Sequence, residues 1–284
     1  MSRSFRTVLA RETVEIVEEG YYRNPAGRNV EIGPAVTRCL NGTCYFSPVD
    51  LQRLTSNLVA EPSPKFSTKV EVVNETTLEG VTRLLAEGEG AVAALNFASA
   101  KHPGGGFLTG AQAQEESLAR SSALYASLLK APEFYGAFAA NPTPLYSDGM
   151  ILSPACPVFR TDDGGLLEQP QLVTFITAAA PNAGAIQMNR PGDMKFVPET
   201  LRRRSEYVLA IAAAQGYRRL VLGAWGCGVF RNDPRTVATI FADHLVRGPW
   251  QGRFERVLFS VLDSSLSKEI IKPFQQAFAS ANKP

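Results

Sequence analysis

The chain has 284 residues, 45% of them hydrophobic and 20% charged, and a formal net charge of +2. This is the composition of a globular protein with enough chain for one large core, and so small a net charge excludes wholesale nucleic-acid binding. Four cysteines, Cys39, Cys44, Cys156 and Cys227, are too few for a disulfide framework in a chain of this length and are read as reduced thiols. Cys39 and Cys44 could form half of a metal site. His102 and His244 are the only histidines, so no metal is expected. The first residues turn charged at once, which is not the pattern of a signal peptide. No run approaches the roughly eighteen apolar residues of a membrane span, so the cytoplasm is the expected location.

In chain order, apolar positions Phe5, Val8, Leu9, Ile16 and Val17 predict a helix over 5–19 that stops at Gly20. A second short helix is expected over Val49–Val59, and Glu61-Pro-Ser-Pro64 reads as a boundary. Residues 1–65 therefore read as an accessory segment packed on a domain formed by 66–284. From there strands and helices alternate. Strands are predicted at Lys69–Val73, Ala91–Phe97, Met150–Ser153, Leu172–Ala178, Leu220–Ala224 and Arg256–Leu262. Helices are predicted at Thr77–Glu87, Ala113–Lys130, Pro198–Gln215, Pro234–Val246 and Leu266–Ala279. Such alternation points to an α/β sandwich around a mostly parallel sheet, whose ligands sit at the carboxyl ends of strands.

Two glycine-rich segments fall at such ends. Gly104, Gly105 and Gly106 follow the Ala91–Phe97 strand, and seven residues later come Gln114, Glu115 and Glu116. Glycines let a backbone approach a ligand and expose successive N–H groups, and adjacent carboxylates can supply acid–base chemistry beside it. Each half has a plainer explanation: a tight turn for the glycines, and the helix dipole for the glutamates. Adjacent helical residues point about 100° apart, so the two carboxylates need not share a task. The second segment, Gly223-Ala-Trp-Gly-Cys-Gly-Val-Phe230, precedes a helix and suits a diphosphate. Cys227 reads there as a small residue, Phe230 as a ring to stack or pack, and Arg231 as a phosphate partner or a solvated charge. Neither segment matches the phosphate loop of nucleoside triphosphatases or the dinucleotide fingerprint.

Together, Asn96-Phe-Ala, Pro103-Gly-Gly-Gly-Phe, Gln114-Glu-Glu, Ser121-Ser-Ala-Leu-Tyr125 and the second glycine segment resemble poly(ADP-ribose) glycohydrolases of the microbial type. The resemblance implies a macrodomain-like three-layer α/β/α sandwich around a mixed, mostly parallel sheet. It implies hydrolysis of the ribose–ribose O-glycosidic bond of poly(ADP-ribose) on ADP-ribosylated proteins, with no cofactor. It also implies a bacterial source, a part in reversing ADP-ribosylation and in the DNA damage response, a monomer, and no membrane or sequence-specific nucleic-acid partner. By the same resemblance Glu116 would be the general acid–base, and Glu115 would hold the ribose hydroxyls with help from Gln114. Asn96 would shape the ribose pocket, with Gly104, Gly105 and Gly106 facing the distal ribose and diphosphate. Gly226, Cys227, Gly228 and Val229 would cradle the diphosphate, with Phe230 against the distal ribose. Glu75 and Thr76 are candidates for the adenine side. Binding macrodomains often carry a second asparagine where Ser99 stands, which leaves open what meets the ribose hydroxyls there. The competing readings are a non-catalytic ADP-ribose reader, a mono-ADP-ribosyl hydrolase, and a nucleotide enzyme whose carboxylates hold magnesium.

Overall fold

The computed structural model describes residues 1–60 and 66–279; the boundary expected at Glu61–Pro64 lies outside them. The chain opens with α1 (Arg3–Glu19), the hairpin β1 (Tyr21–Arg23) and β2 (Asn29–Glu31), α2 (Gly33–Gly42), β3 (Cys44–Phe46) and α3 (Pro48–Ala60). It continues with β4 (Lys69–Val73), α4 (Thr77–Ala86), β5 (Val92–Phe97), α5 (Gln114–Ser121), α6 (Leu124–Leu128), α7 (Pro132–Ala140), β6 (Met150–Arg160) and β7 (Leu166–Ala178). The remainder is α8 (Ala183–Asn189), α9 (Val197–Ala214), β8 (Arg219–Leu222), α10 (Pro234–Ala242), β9 (Arg256–Ser260) and α11 (Ile271–Phe278).

Seven strands form one sheet in the order β3-β6-β7-β5-β8-β9-β4. The pairs from β7 through β4 are parallel, while β3 and β6 add an antiparallel edge. Alternation along the strands separates two cores. Ala93, Leu95, Leu220, Leu222, Val257 and Phe259 face the layer of α3, α9, α10 and α11. Val92, Ala94, Val221 and Leu258 face the layer that contains α2, α4, α5 and α6. A sheet buried on both faces by successive crossover helices is the three-layer sandwich expected.

Local chemistry explains the boundaries. Ser2 Oγ accepts the Phe5 N–H at the start of α1, and Gly20 ends it in the left-handed conformation (φ 78°). Thr76 and Glu79 close a reciprocal capping box on α4. The single helix expected over Ala113–Lys130 is broken. Ser122 is extended (φ −153°, ψ 177°) and bridges Val158, and its hydroxyl donates to Leu118 O while accepting the Leu124 N–H. A serine that satisfies its neighbours' backbone in this way competes with the helix ladder. β6 and β7 are longer than expected because, past a register shift between Ser153 and Cys156, they go on pairing with each other beyond the reach of β3 and β5. The C-terminal helix starts at Ile271 and not at Leu266, because Asp263 accepts the N–H groups of Ser265, Ile270 and Ile271 and so holds the preceding turn.

The first 60 residues are not a separate layer. β3 is an edge strand of the main sheet, and Leu51 of α3 shares a core with α9. The division read at residue 65 falls between α3 and β4, and elements on both sides of it share the sheet and its packing. No helix among the described residues is long and apolar enough to cross a membrane.

Candidate active site

The carboxyl ends of β5, β8, β9 and β4 open into one cavity of about 900 Å³, large enough for a dinucleotide-sized ligand. Of the expected site residues, all except Asn96, Gly104 and Arg231 border it.

Gln114 begins α5, but its amide serves the backbone. Its Oε1 accepts the Phe97 N–H at 2.9 Å, and its Nε2 donates to Leu95 O at 2.7 Å and Thr77 Oγ1 at 3.1 Å. The side chain thus continues the ladder of β5 where the strand runs out, and it ties α5 to the start of α4. Both donors of its amide are taken by this bracing, while the residue still borders the cavity.

Glu115 is 2% exposed. Its Oε1 accepts from Asn96 Nδ2 at 3.2 Å and its Oε2 from the Ser99 N–H at 2.7 Å. Burial pushes its carboxyl up to about 8, opposed by those hydrogen bonds and assisted by the charge of Glu116. Asn96 is fully buried behind it and also donates to Thr177 Oγ1. Asn96 therefore braces Glu115 and does not itself border the cavity. The Ser99 hydroxyl accepts the N–H groups of Lys101 and His102, so it shapes its own loop.

Glu116 projects to the cavity and its Oε1 accepts the Gly106 N–H at 3.0 Å. The three glycines have different reasons to be glycine. Gly104 is buried at φ 67°, and a Cβ there would meet Phe107 and Ala119 at 3.0–3.2 Å. Gly104 therefore serves packing, contrary to the expected place against the ligand. Gly105 (φ 60°) lies so close to Glu116 that an added Cβ would sit 2.9 Å from its Cδ and collide with Oε1. Gly106 supplies the N–H that holds the carboxylate.

The second loop is built otherwise. Gly223 passes under Phe97, whose Cζ a Cβ would approach to 2.9 Å. Gly226 (φ 72°) is pressed against Ala180 and Asn232. Gly228 meets nothing within 4 Å, and Val229 beside it is exposed. Burial pushes the Cys227 thiol far up, the opposite of what a nucleophile needs. Phe230 borders the cavity and packs on Tyr146, with ring centroids 5.8 Å apart.

Several residues that the sequence reading passed over hold these loops. Asn232 Nδ2 donates to Pro181 O at 2.8 Å and Gly226 O at 3.1 Å. Trp225 is buried, borders the cavity and donates to Ala178 O; Trp250 is buried elsewhere, bonded to Glu206. Tyr146 has a left-handed backbone (φ 61°), a conformation that costs about 1–3 kcal/mol in a non-glycine residue. The buried guanidinium of Arg204 restrains it by donating to Tyr146 O and Ala179 O while pairing with Asp148 at 2.7 Å. Asp162, at the tip of the long hairpin, reaches the far end of the cavity and accepts from Thr76 Oγ1; burial raises its carboxyl. Glu75 and Thr76 both border that end, Glu75 already paired with Arg83 at 3.0 Å.

A mostly parallel sandwich with two glycine loops and a carboxylate pair over one elongated cavity defines a macrodomain-type nucleotide site. Residues 10–161 match the family model described as microbial-type PARG, catalytic domain. The crystal structure of poly(ADP-ribose) glycohydrolase from Thermomonospora curvata superposes with a TM-score of 0.92 at 48% identity, covering 97% of this chain and 100% of that one. The same enzyme bound to the inhibitor ADP-HPD gives 0.90 at 47% over the same shares. The Deinococcus radiodurans enzyme in complex with ADP-ribose gives 0.82 at 44%, covering 87% of this chain and 98% of that one. No curated protein sequence matches. The chain belongs to the microbial-type poly(ADP-ribose) glycohydrolases.

Proposed function

We propose that the protein hydrolyses the ribose–ribose bonds of poly(ADP-ribose) and releases ADP-ribose, with Glu116 as the acid–base group. Supporting this, relatives close to half identical over nearly the whole chain are such enzymes, two of them described with ADP-ribose or ADP-HPD bound. The observation that carries the residue assignment is the seating of Glu116 at the cavity wall on the Gly106 N–H, beside a second carboxyl that is buried and braced.

In this reading the diphosphate lies on the loop from Gly226 to Phe230, and the terminal ribose lies between Phe230 and the two glutamates. The adenosine end extends toward Thr76 and Asp162. Glu116 protonates the departing oxygen as the C1–O bond breaks, and the neighbouring diphosphate stabilises the oxocarbenium character that develops. Water then adds to C1 and gives its proton to the Glu116 carboxylate, which restores the acid. Glu115, with a carboxyl that burial pushes up to about 8, stays largely protonated near neutrality and can donate to a ribose hydroxyl. Its brace of Asn96 and Ser99 fixes where that proton points.

Incubation with an automodified poly(ADP-ribosyl) protein tests the activity. The polymer is expected to shorten with release of free ADP-ribose; a polymer that is retained intact would make the protein a reader. A last protein-linked unit that survives, seen by mass spectrometry, separates polymer cleavage from mono-ADP-ribosyl hydrolysis. We further propose a cytoplasmic monomer that reverses ADP-ribosylation of proteins, as after DNA damage. The four free thiols suit a reducing compartment. Cell fractionation and light scattering test those two statements.

A further inference from the structure

We propose that Lys101, held over the ring of Phe138, binds the phosphate of the departing part of the polymer, so that the site reads two units of the chain. The inference rests on the glycohydrolase reading. In that reading the terminal ADP-ribose fills the cavity from the glutamates to the ends of β8, β9 and β4. What leaves from C1 must pass out beside Glu116, along the loop that follows β5.

Lys101 stands on that loop, three residues before Gly104, exposed and bordering the cavity. Its ammonium lies 4.9 Å from the centroid of Phe138 in α7, and among the described residues it has no carboxylate partner. A lysine placed by an aromatic face, and not by an acid, keeps its charge and its three N–H groups for a ligand. The loop beneath it is fixed, with Ser99 Oγ accepting the Lys101 and His102 N–H groups and Gly105 N donating to His102 O. On the other flank of the glycine turn, Arg3 and Arg6 of α1 donate to Thr109 O and Gly110 O. Those two guanidiniums are spent on the loop backbone, which leaves Lys101 as the cation of this loop that borders the cavity.

The departing unit ends in a ribose hydroxyl and carries a diphosphate only a few bonds away. Free ADP-ribose has no phosphate on that side. A contact at Lys101 is therefore made by polymer and not by product, and it favours chains over single units without tightening product binding.

Steady-state cleavage of long poly(ADP-ribose) across a salt series, with calorimetry of free ADP-ribose, tests this on wild type, Lys101→Met and Lys101→Arg. The Met variant is expected to raise KM for polymer about two- to fivefold and to lower the salt slope by about one. ADP-ribose affinity is expected to stay unchanged, and Lys101→Arg to restore the polymer KM. An active Lys101→Met protein with wild-type KM and slope overturns this inference alone. A parallel loss of ADP-ribose affinity overturns it too, by assigning Lys101 to the product pocket. A wild-type protein that leaves polymer intact overturns the glycohydrolase reading and this inference with it.

Discussion

The two glycine loops look alike in sequence and are made for opposite purposes. In the first, glycine is required by the protein's own side chains: the Glu116 carboxylate occupies the space where a Gly105 Cβ would be, and Gly104 is packed against Phe107 and Ala119. In the second, Gly223 and Gly226 are pressed by Phe97, Ala180 and Asn232, but Gly228 faces open space. One loop is closed around the Glu116 carboxylate before any ligand arrives. The other is left open at its crest, where a ligand can lie against the backbone. A run of glycines is therefore not by itself evidence of ligand contact.

That contrast can be broken in several places. The largest effect is expected from Glu116→Gln, which should lower polymer turnover by about 10²–10⁴-fold while ADP-ribose still binds, as read by product release and calorimetry. Turnover near wild type would move the acid–base role elsewhere. Gly105→Ala should cost roughly 10²-fold in turnover, since the methyl must displace Glu116 and the backbone sits at φ 60°. Circular dichroism would show whether the fold is kept.

Glu115→Gln probes the buried half of the pair through pH. The Glu115 carboxyl goes from the ordinary glutamate value of 4.5 to about 8 on folding. Its contribution is fully present below about pH 4.5 and is lost as pH rises through about 8. The wild-type melting temperature should thus fall between pH 5 and 8 relative to that of Glu115→Gln, and parallel curves would place the proton elsewhere. Smallest for the fold, Gly228→Ala should leave stability within about 0.5 kcal/mol, because its Cβ meets no protein atom within 4 Å, and should instead weaken ADP-ribose binding, since the diphosphate is read as lying on that backbone. Unchanged ADP-ribose affinity by calorimetry would erase the distinction between the loops.

The alternation of strand and helix was legible because β5, β8 and β9 are short, mostly apolar runs and β4 is rich in β-branched residues, and the sandwich followed from it. β3 was not legible: at three residues it has no period to read, and its place is set by pairing with β6. The break at Ser122 depends on Val158, far along the chain, and no local pattern announces it. In the site, the motif residues stood out, but their division of labour did not. Gln114 and Asn96 look like ligand-binding amides in sequence; Gln114 is a brace through its bonds to the β5 backbone, and Asn96 through its burial behind Glu115. Asn232 precedes Asp233-Pro234 and reads as an ordinary helix lead-in. Tyr146 and Arg204 meet only in three dimensions.

Trp225 has a further use. It borders the cavity, whereas Trp250, the only other tryptophan, is buried elsewhere against Glu206 and Arg253. Ligand entry should therefore change the emission of one indole over a constant background from the other. Trp225→Phe should remove the ligand-dependent signal and leave the background, which would give an unlabelled optical titration of the product site in wild type and in every variant that keeps Trp225.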